Sequence, residues 1–148
     1  MRAILQRVRR GAVTVEEELV GEIGAGYVIL LGVAHADGPA ELKKLAEKTV
    51  HLRVFEDEAG KMNRSALEAG GEMLVISQFT LFANTKKGRR PSFTDAAPPE
   101  IAEPLVVQFA DQLRRLGVQK VATGLFGARM LVRLENDGPV TIILDTDE

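Results

Sequence analysis

Cysteine is absent from this chain of 148 residues, as is tryptophan, and histidine occurs only twice. Without cysteine the chain can form no disulfide, no thiolate metal site and no thiol nucleophile. The histidines, His35 and His51, lie in different predicted elements without neighbouring ligands, so we expect structural or surface roles and predict no metal and no cofactor. No apolar run approaches the roughly 20 residues of a membrane-spanning helix, and we find no signal pattern. We therefore expect a soluble, cytoplasmic protein without membrane contacts.

Positive charge does not predominate overall, since the formal net charge is −2, but four basic residues cluster in one loop. Lys86, Lys87, Arg89 and Arg90 surround Gly88, while acidic residues dominate other turns. Such a loop on an acidic protein can bind a few phosphates without binding RNA indiscriminately, so these four residues are candidate RNA contacts. Charge alone favours the plainer alternative, a solvated loop.

Strand patterns dominate both ends of the chain. Short apolar segments separated by glycines predict an N-terminal β-meander with strands at residues 3–8, 12–15, 19–23 and 27–33. A buried strand is predicted after a polar loop, at residues 73–76, and three more strands follow at 120–123, 130–135 and 140–145.

Two helices are predicted between these strands. Apolar residues at helical spacing run from Pro39 to Val54, and a second apolar stripe runs from Pro98 to Leu116, before a glycine. Two helices cover only one face of a sheet, so the meander should form a second sheet layer. The predicted fold is therefore α/β: a single three-layer α/β/β domain over residues 1–148, with a mixed sheet, two helices and the N-terminal meander.

Two short segments, about sixty residues apart, carry the candidate chemistry. Residues 77–81, Ser-Gln-Phe-Thr-Leu, follow the predicted strand at 73–76, so their polar groups emerge at a strand end. Residues 136–141 place a Gly-Pro pair in a turn between two strands. A plain tight turn is one interpretation, but a Gly-Pro bond is also one of the few places where a cis peptide is affordable.

Both segments resemble those of the D-aminoacyl-tRNA deacylases of the D-tyrosyl-tRNA deacylase type, which are editing hydrolases that remove D-amino acids from mischarged tRNA. The resemblance covers nearly the whole chain, at residues 1–8, 77–81, 87–93, 123–128 and 136–141. It implies the same three-layer fold, tRNA as the partner, and a homodimer with its active sites at the subunit interface. It also implies cleavage of the ester of D-aminoacyl-tRNA, and of glycyl-tRNA mischarged on tRNA-Ala, with rejection of L-aminoacyl-tRNA.

The resemblance places catalysis at Ser77, Gln78, Phe79 and Thr80. Backbone N–H groups around Phe79 and Thr80 would hold the ester carbonyl as negative charge develops on it. The family's proposed activator of water is the free 2′-hydroxyl of the terminal adenosine, which suits a sequence that shows no base next to Thr80. The rival interpretation makes Thr80 the nucleophile, and it lacks a visible group to activate the hydroxyl.

Substrate-binding roles are implied for five further residues. The bond between Gly138 and Pro139 would be cis and would reach into the pocket of the other subunit, where its carbonyls meet the α-ammonium and leave no space for an L side chain. Arg7 would hold that motif in place, and Phe126 and Met130 would line the adenosine pocket. Without the resemblance, Arg7 is a strand-end charge and the last two are core positions.

Two other functions stay open at this point: a threonine- or serine-based esterase for small acyl esters, and a non-catalytic RNA-binding module. The esterase predicts a trapped acyl-enzyme, and the module predicts RNA binding without turnover. Stacking RNA binders expose aromatic side chains on a sheet, and six phenylalanines with one tyrosine, mostly in apolar contexts, give little sign of that.

Overall fold

Two long strands, one near each end of the chain, pair with each other and organise the fold. The computed structural model describes residues 1–148. Its strands are β1 (Arg2–Val15), β2 (Glu18–Ile23), β3 (Gly26–Gly32), β4 (Phe55–Glu56), β5 (Met62–Arg64), β6 (Glu72–Ser77), β7 (Val121–Thr123) and β8 (Leu131–Asp145). Its helices are α1 (Pro39–His51), α2 (Ala66–Ala69) and α3 (Pro99–Arg115), and one turn of 3-10 helix, Phe79–Phe82, follows β6.

The two predicted helices are present as α1 and α3. Pro39 and Pro99 occupy first-turn positions, where the missing N–H removes no helical hydrogen bond. α1 ends at His51, before its predicted end, because Leu52 takes an extended conformation. The apolar face of α3 is centred on the fully buried Phe109, and α3 packs beside α1 on the sheet.

Two local elements differ from the sequence prediction. The one-turn helix α2 begins with a reciprocal cap, in which Ser65 Oγ accepts from the N–H of Glu68 and the Glu68 carboxylate accepts from the N–H of Ser65. The Ser-x-x-Glu spacing is the sequence signal for this cap, so α2 could have been predicted from the sequence. The predicted polar loop contains a small hairpin, β4–β5, whose turn is closed by the Asp57 carboxylate accepting two backbone N–H groups.

One six-stranded mixed sheet contains β1, β2, β3, β6, β7 and β8. β1 pairs antiparallel with β2, β3 and β8, whereas β6 is parallel to both β3 and β7. The α/β class with a mixed sheet is thereby confirmed. The meander strands belong to the same hydrogen-bonded sheet as β6, so the predicted second layer is part of one continuous sheet.

The long strands β1 and β8 explain how one sheet provides both β layers. The strands predicted at 3–8 and 12–15 are both part of β1, and those at 130–135 and 140–145 are both part of β8. The pairing of β1 with β8 shifts register around Val8, and its pairing with β2 shifts between Val13 and Thr14. Such irregularities bend a strand and increase its twist, so one sheet can fold over itself and form two layers.

Apolar clusters fill both sides of this folded sheet. The larger lies between the helices and one sheet face and includes Leu5 and Phe109. The smaller lies inside the curve of the sheet and includes Val28 and Leu74. The sheet is almost closed, because its end strands β2 and β7 approach each other closely. A Cβ on Gly21 of β2 would lie only 2.9 Å from a carbonyl oxygen of β7. None of the helices combines the length and apolar composition that crossing a bilayer requires.

Candidate active site

The chain leaves β6 through a sharp turn that presents backbone N–H groups. The N–H of Gln78 donates to the carbonyl of Leu31 (2.8 Å), which extends the pairing of β6 with β3 by one residue. The 3-10 turn Phe79–Phe82 begins immediately afterwards. The N–H groups of Phe79 and Thr80 open this turn and have no acceptor within it, because 3-10 hydrogen bonds reach back three residues. The turn therefore offers two adjacent donors at the end of a buried strand.

A cavity of about 420 Å³ lies beside this turn, near the ends of β3 and β6 and the beginning of α3. Of the predicted site residues, Ser77, Gln78, Phe79 and Phe126 line it. The rest of the lining is aliphatic, proline, phenylalanine or glycine, and no lining side chain is titratable. The cavity can hold an apolar group but supplies no general base.

Among the predicted catalytic and adenosine-pocket residues, Thr80 and Met130 do not line this cavity. Thr80 is exposed, and its Oγ1 accepts a hydrogen bond from Nε2 of Gln78. Met130 packs against the cluster inside the curved sheet, and a Cβ on Gly124 would lie 2.6 Å from its sulfur. Within one chain, Met130 therefore contributes to sheet packing, and its contact with adenosine stays a prediction.

The Gly-Pro segment lies within β8 and is braced by its own neighbours. The bond between Gly138 and Pro139 is cis, as the family resemblance implied. Asn136 Oδ1 accepts from the N–H of Val140 (2.7 Å), and Asn136 Nδ2 donates to the carbonyl of Val140 (3.2 Å) and to Thr141 Oγ1 (3.2 Å). Gly138 and Pro139 are exposed, and neither lines the cavity of its own chain.

Arg7 of β1 contacts this segment with its side chain. Its side chain is buried, Nε donates to the carbonyl of Asp137 (2.9 Å), and Nη1 donates to the carbonyl of Val54 (2.6 Å). The Glu56 carboxylate lies 3.9 Å from Nη2. Burial raises the pKa of the neighbouring Tyr27 despite the Arg7 charge, so this hydroxyl stays neutral. Arg7 thus donates to the carbonyl immediately before the Gly-Pro pair, and its role in holding that motif for the substrate stays a prediction.

The four predicted RNA contacts lie in a hairpin, which we call the basic hairpin (residues 84–92). Two backbone hydrogen bonds between Asn84 and Ser92 close its base, at 2.7 and 2.9 Å. Its tip turns at Gly88, where φ is +68°. Lys86, Lys87, Arg89 and Arg90 are all exposed. None of them forms an ion pair within the chain, so all four charges are available to an anion.

Phe93 links the basic hairpin to the cavity, a connection that sequence reasoning missed. It follows the hairpin directly and lines the cavity. Its ring meets that of Phe79 edge-on, with centroids 5.1 Å apart, and the Phe79 side chain stays 58% exposed. The aromatic pair therefore stands at the cavity mouth. No local pattern marks the contact, since Phe79 and Phe93 belong to different segments.

The histidines take no part in this site. His35 Nε2 lies 2.7 Å from the carbonyl of Thr94, and His51 lies 3.3 Å from the Glu47 carboxylate one helical turn away. Both side chains are exposed. No group of three potential metal-ligating side chains occurs in the structure.

The fold and the cavity define a class of site: an apolar cavity beside a turn with two backbone donors, with unpaired basic side chains on the adjoining hairpin. Comparison with known proteins makes the class specific. The D-Tyr-tRNA(Tyr) deacylase family matches residues 4–145. A D-aminoacyl-tRNA deacylase from Roseiflexus sp. (strain RS-1) is 63% identical over 99% of this chain and 94% of its own length. One from Thermus aquaticus is 55% identical over 100% and 97%. The chain therefore belongs to the D-Tyr-tRNA(Tyr) deacylase family and is an enzyme of the D-aminoacyl-tRNA deacylase type.

Solved structures agree with this assignment at the level of the fold. The c-Myc DNA Unwinding Element Binding Protein superposes with a TM-score of 0.92 at 44% identity, over 98% of both chains. A probable eukaryotic D-amino acid tRNA deacylase superposes with a TM-score of 0.85 over 97% of both chains. At 20% identity, the second similarity shows the fold alone.

Proposed function

We propose that this enzyme cleaves the ester between tRNA and a D-amino acid, spares L-aminoacyl-tRNA, and clears glycine mischarged on tRNA-Ala in the cytoplasm. One observation carries the proposal. An apolar cavity without a titratable side chain lies beside the 3-10 turn, and Phe79, the first residue of that turn, lines it. An aminoacyl ester is already activated, so positioning and stabilisation of the developing oxyanion can account for much of its hydrolysis.

In this mechanism the substrate supplies the group that activates water. The N–H groups of Phe79 and Thr80 donate to the carbonyl oxygen of the ester as negative charge develops on it. The 2′-hydroxyl of the terminal adenosine activates the attacking water. The alternative, Thr80 as nucleophile, is less well supported, because its hydroxyl accepts from the Gln78 amide and no base contacts it.

A deacylation assay with matched D-, L- and glycyl-tRNA tests the activity. We expect hydrolysis of the D and glycyl esters and protection of the L ester. Equal rates on the two enantiomers would contradict the proposal, and RNA binding without turnover would favour a binding module.

A second assay tests the mechanism. Thr80→Ala should keep most of its activity, whereas a substrate ending in 2′-deoxyadenosine should react slowly. An acyl-Thr80 adduct detected by mass spectrometry would establish the threonine mechanism instead.

We further propose a homodimer in which each Gly-Pro segment enters the cavity of the other subunit. Gly138 and Pro139 are exposed and rigidly braced, yet they do not reach the cavity of their own chain. Nearby, Ile4 pairs with Leu30 on one side and with Ile143 on the other, and Ile143 is 64% exposed. This apolar row beside the free edge of β8 is a surface that a second copy would cover. The inserted backbone would exclude an L side chain by steric clash.

A subunit-mixing experiment tests the shared site. Gly138→Phe should block the cavity of the other subunit, and Phe79→Pro should remove one backbone donor from its own cavity. After exchange of equal amounts, about half the dimers are mixed, and each mixed dimer contains one intact composite site. Recovered activity supports the model. No recovery despite demonstrated exchange, or a fully active monomer, contradicts it.

The basic hairpin is the proposed contact for the tRNA backbone. Its cations are exposed, unpaired and connected through Phe93 to the cavity mouth. Such contacts position a polyanion without reading its sequence, and they weaken as salt concentration rises.

A further inference from the structure

Arg2 joins the 3-10 turn to the edge of the sheet through three different contacts. Its Nε donates to Asp145 Oδ2 (2.7 Å), and its Nη1 donates to the carbonyl of Leu81 within the turn (2.8 Å). Its guanidinium carbon lies 5.0 Å from the centre of the Phe82 ring. One side chain thus holds the C-terminal half of the turn that presents the Phe79 and Thr80 donors.

The sheet register explains why Arg2 can reach the turn. Arg2 pairs with Asp145 on one side and with Gly32 on the other, so the three residues form one row on the same sheet face. Gly32 leaves a gap in that row, and the Phe82 ring fills it, since a Cβ on Gly32 would lie 3.0 Å from the ring. Asp145 fixes one edge of the guanidinium, which leaves the other edge and the face to hold the turn.

We propose that Arg2 is a positioning residue for deacylation, which fixes the 3-10 turn so that the N–H groups of Phe79 and Thr80 meet the reacting carbonyl. Arg2 does not line the cavity and acts only through Leu81 and Phe82. The inference rests on the proposed role of those two donors in catalysis. Oxyanion stabilisation depends on donors held in place before the reaction, so a looser turn should slow the chemical step more than it weakens binding.

Arginine suits this position better than lysine. Its planar fork can donate along two edges while its face lies on an aromatic ring, whereas an ammonium group is a single point charge. Arg2→Lys should therefore keep the ion pair with Asp145 and lose most of the contact with Leu81 and Phe82 in the turn. Arg2→Gln should lose both.

Arg10→Gln is the matched control. Arg10 also extends from β1 to a carboxylate of β8, through two hydrogen bonds from Nε and Nη2 to Glu135 at 3.0 and 2.6 Å. That pair is exposed and makes no contact with the 3-10 turn. Comparing the two substitutions separates the loss of a β1–β8 ion pair from the loss of the turn contact.

The experiment measures steady-state deacylation of D-aminoacyl-tRNA and hydrogen exchange of the intact protein. For Arg2→Gln we expect kcat to fall about tenfold to a hundredfold with KM changed less than about twofold. Exchange should become faster at residues 78–83 and stay unchanged in α3. Arg2→Lys should show an intermediate kcat, and Arg10→Gln should behave as the unaltered enzyme in both measurements.

Three results would overturn the inference: an unchanged kcat and unchanged exchange in Arg2→Gln, an equal loss of kcat in Arg10→Gln, or faster exchange throughout the protein instead of in the turn. If Arg2→Gln does not fold, Arg2→Lys is compared with Arg10→Lys by the same criteria. If the unaltered enzyme does not cleave D-aminoacyl-tRNA, the proposed function fails, and the exchange measurement still decides whether Arg2 holds the turn.

Discussion

Replacing the buried Arg7 by methionine should loosen the Gly-Pro segment and destabilise the protein. Methionine keeps much of the apolar stem but leaves the carbonyls of Asp137 and Val54 without their donors, which lie at 2.9 and 2.6 Å. A hydrogen bond to a charged group contributes about 1.5–3 kcal/mol, so two contribute about 3–6 kcal/mol. Relief of the buried guanidinium's desolvation offsets part of this, and we expect a net loss of about 2–4 kcal/mol.

Urea unfolding measures this loss, and it is done at one protein concentration because the stability of the proposed dimer would depend on concentration. Hydrolysis of D- and L-aminoacyl-tRNA should show that discrimination between the enantiomers falls at the same time. Arg9→Met is the control, since the Arg9 side chain is 76% exposed and lies 3.9 Å from the Asp137 carboxylate. It should change stability by no more than about 0.5 kcal/mol. A loss below about 1 kcal/mol in Arg7→Met, with an unchanged enantiomer ratio, would refute the anchoring role.

Three further substitutions test the remaining parts of the site. Gly138→Ala should raise hydrolysis of L-aminoacyl-tRNA, because φ is +147° at this position and a Cβ would meet the backbone of the same turn at 2.7 Å. Gly60→Ala is the control for backbone strain, since Gly60 has a φ of +76° and open space around it, and it should not change the enantiomer ratio. Replacing Lys87 and Arg89 by glutamine should raise KM for tRNA and reduce the slope of log affinity against log salt by about 1.4 to 1.8, and an unchanged slope would indicate a merely solvated loop. Burial opposes ionisation of Asp145, but its hydrogen bonds prevail and lower its pKa. A lowered native pKa stabilises the fold above the ordinary aspartate value of about 3.9, and this contribution is lost as pH falls through the native value. Acid unfolding of Asp145→Asn should therefore be less steep in this range, and an unchanged acid transition would contradict the assignment.

Several elements were predictable because their signals are local. The first-turn prolines and the apolar stripes locate α1 and α3, and the Ser-x-x-Glu cap would have located α2. The candidate site segments were likewise recognisable as short motifs. The proposed chemistry depends on backbone N–H groups and on a Gly-Pro pair, which the order of residues specifies directly.

The sequence by itself determined the α/β class, the helices α1 and α3, the family and the segments of the candidate site. Only the tertiary structure decided that the two β layers are one sheet, that Met130 lies apart from the cavity, and that Arg2 and Arg7 donate hydrogen bonds to Leu81 and Asp137. Arg2 reaches Leu81 across 79 positions and Arg7 reaches Asp137 across 130. The physical reason is the range of the interactions: a helix signal repeats within one turn, whereas these contacts exist only after sheet register has brought distant strands together.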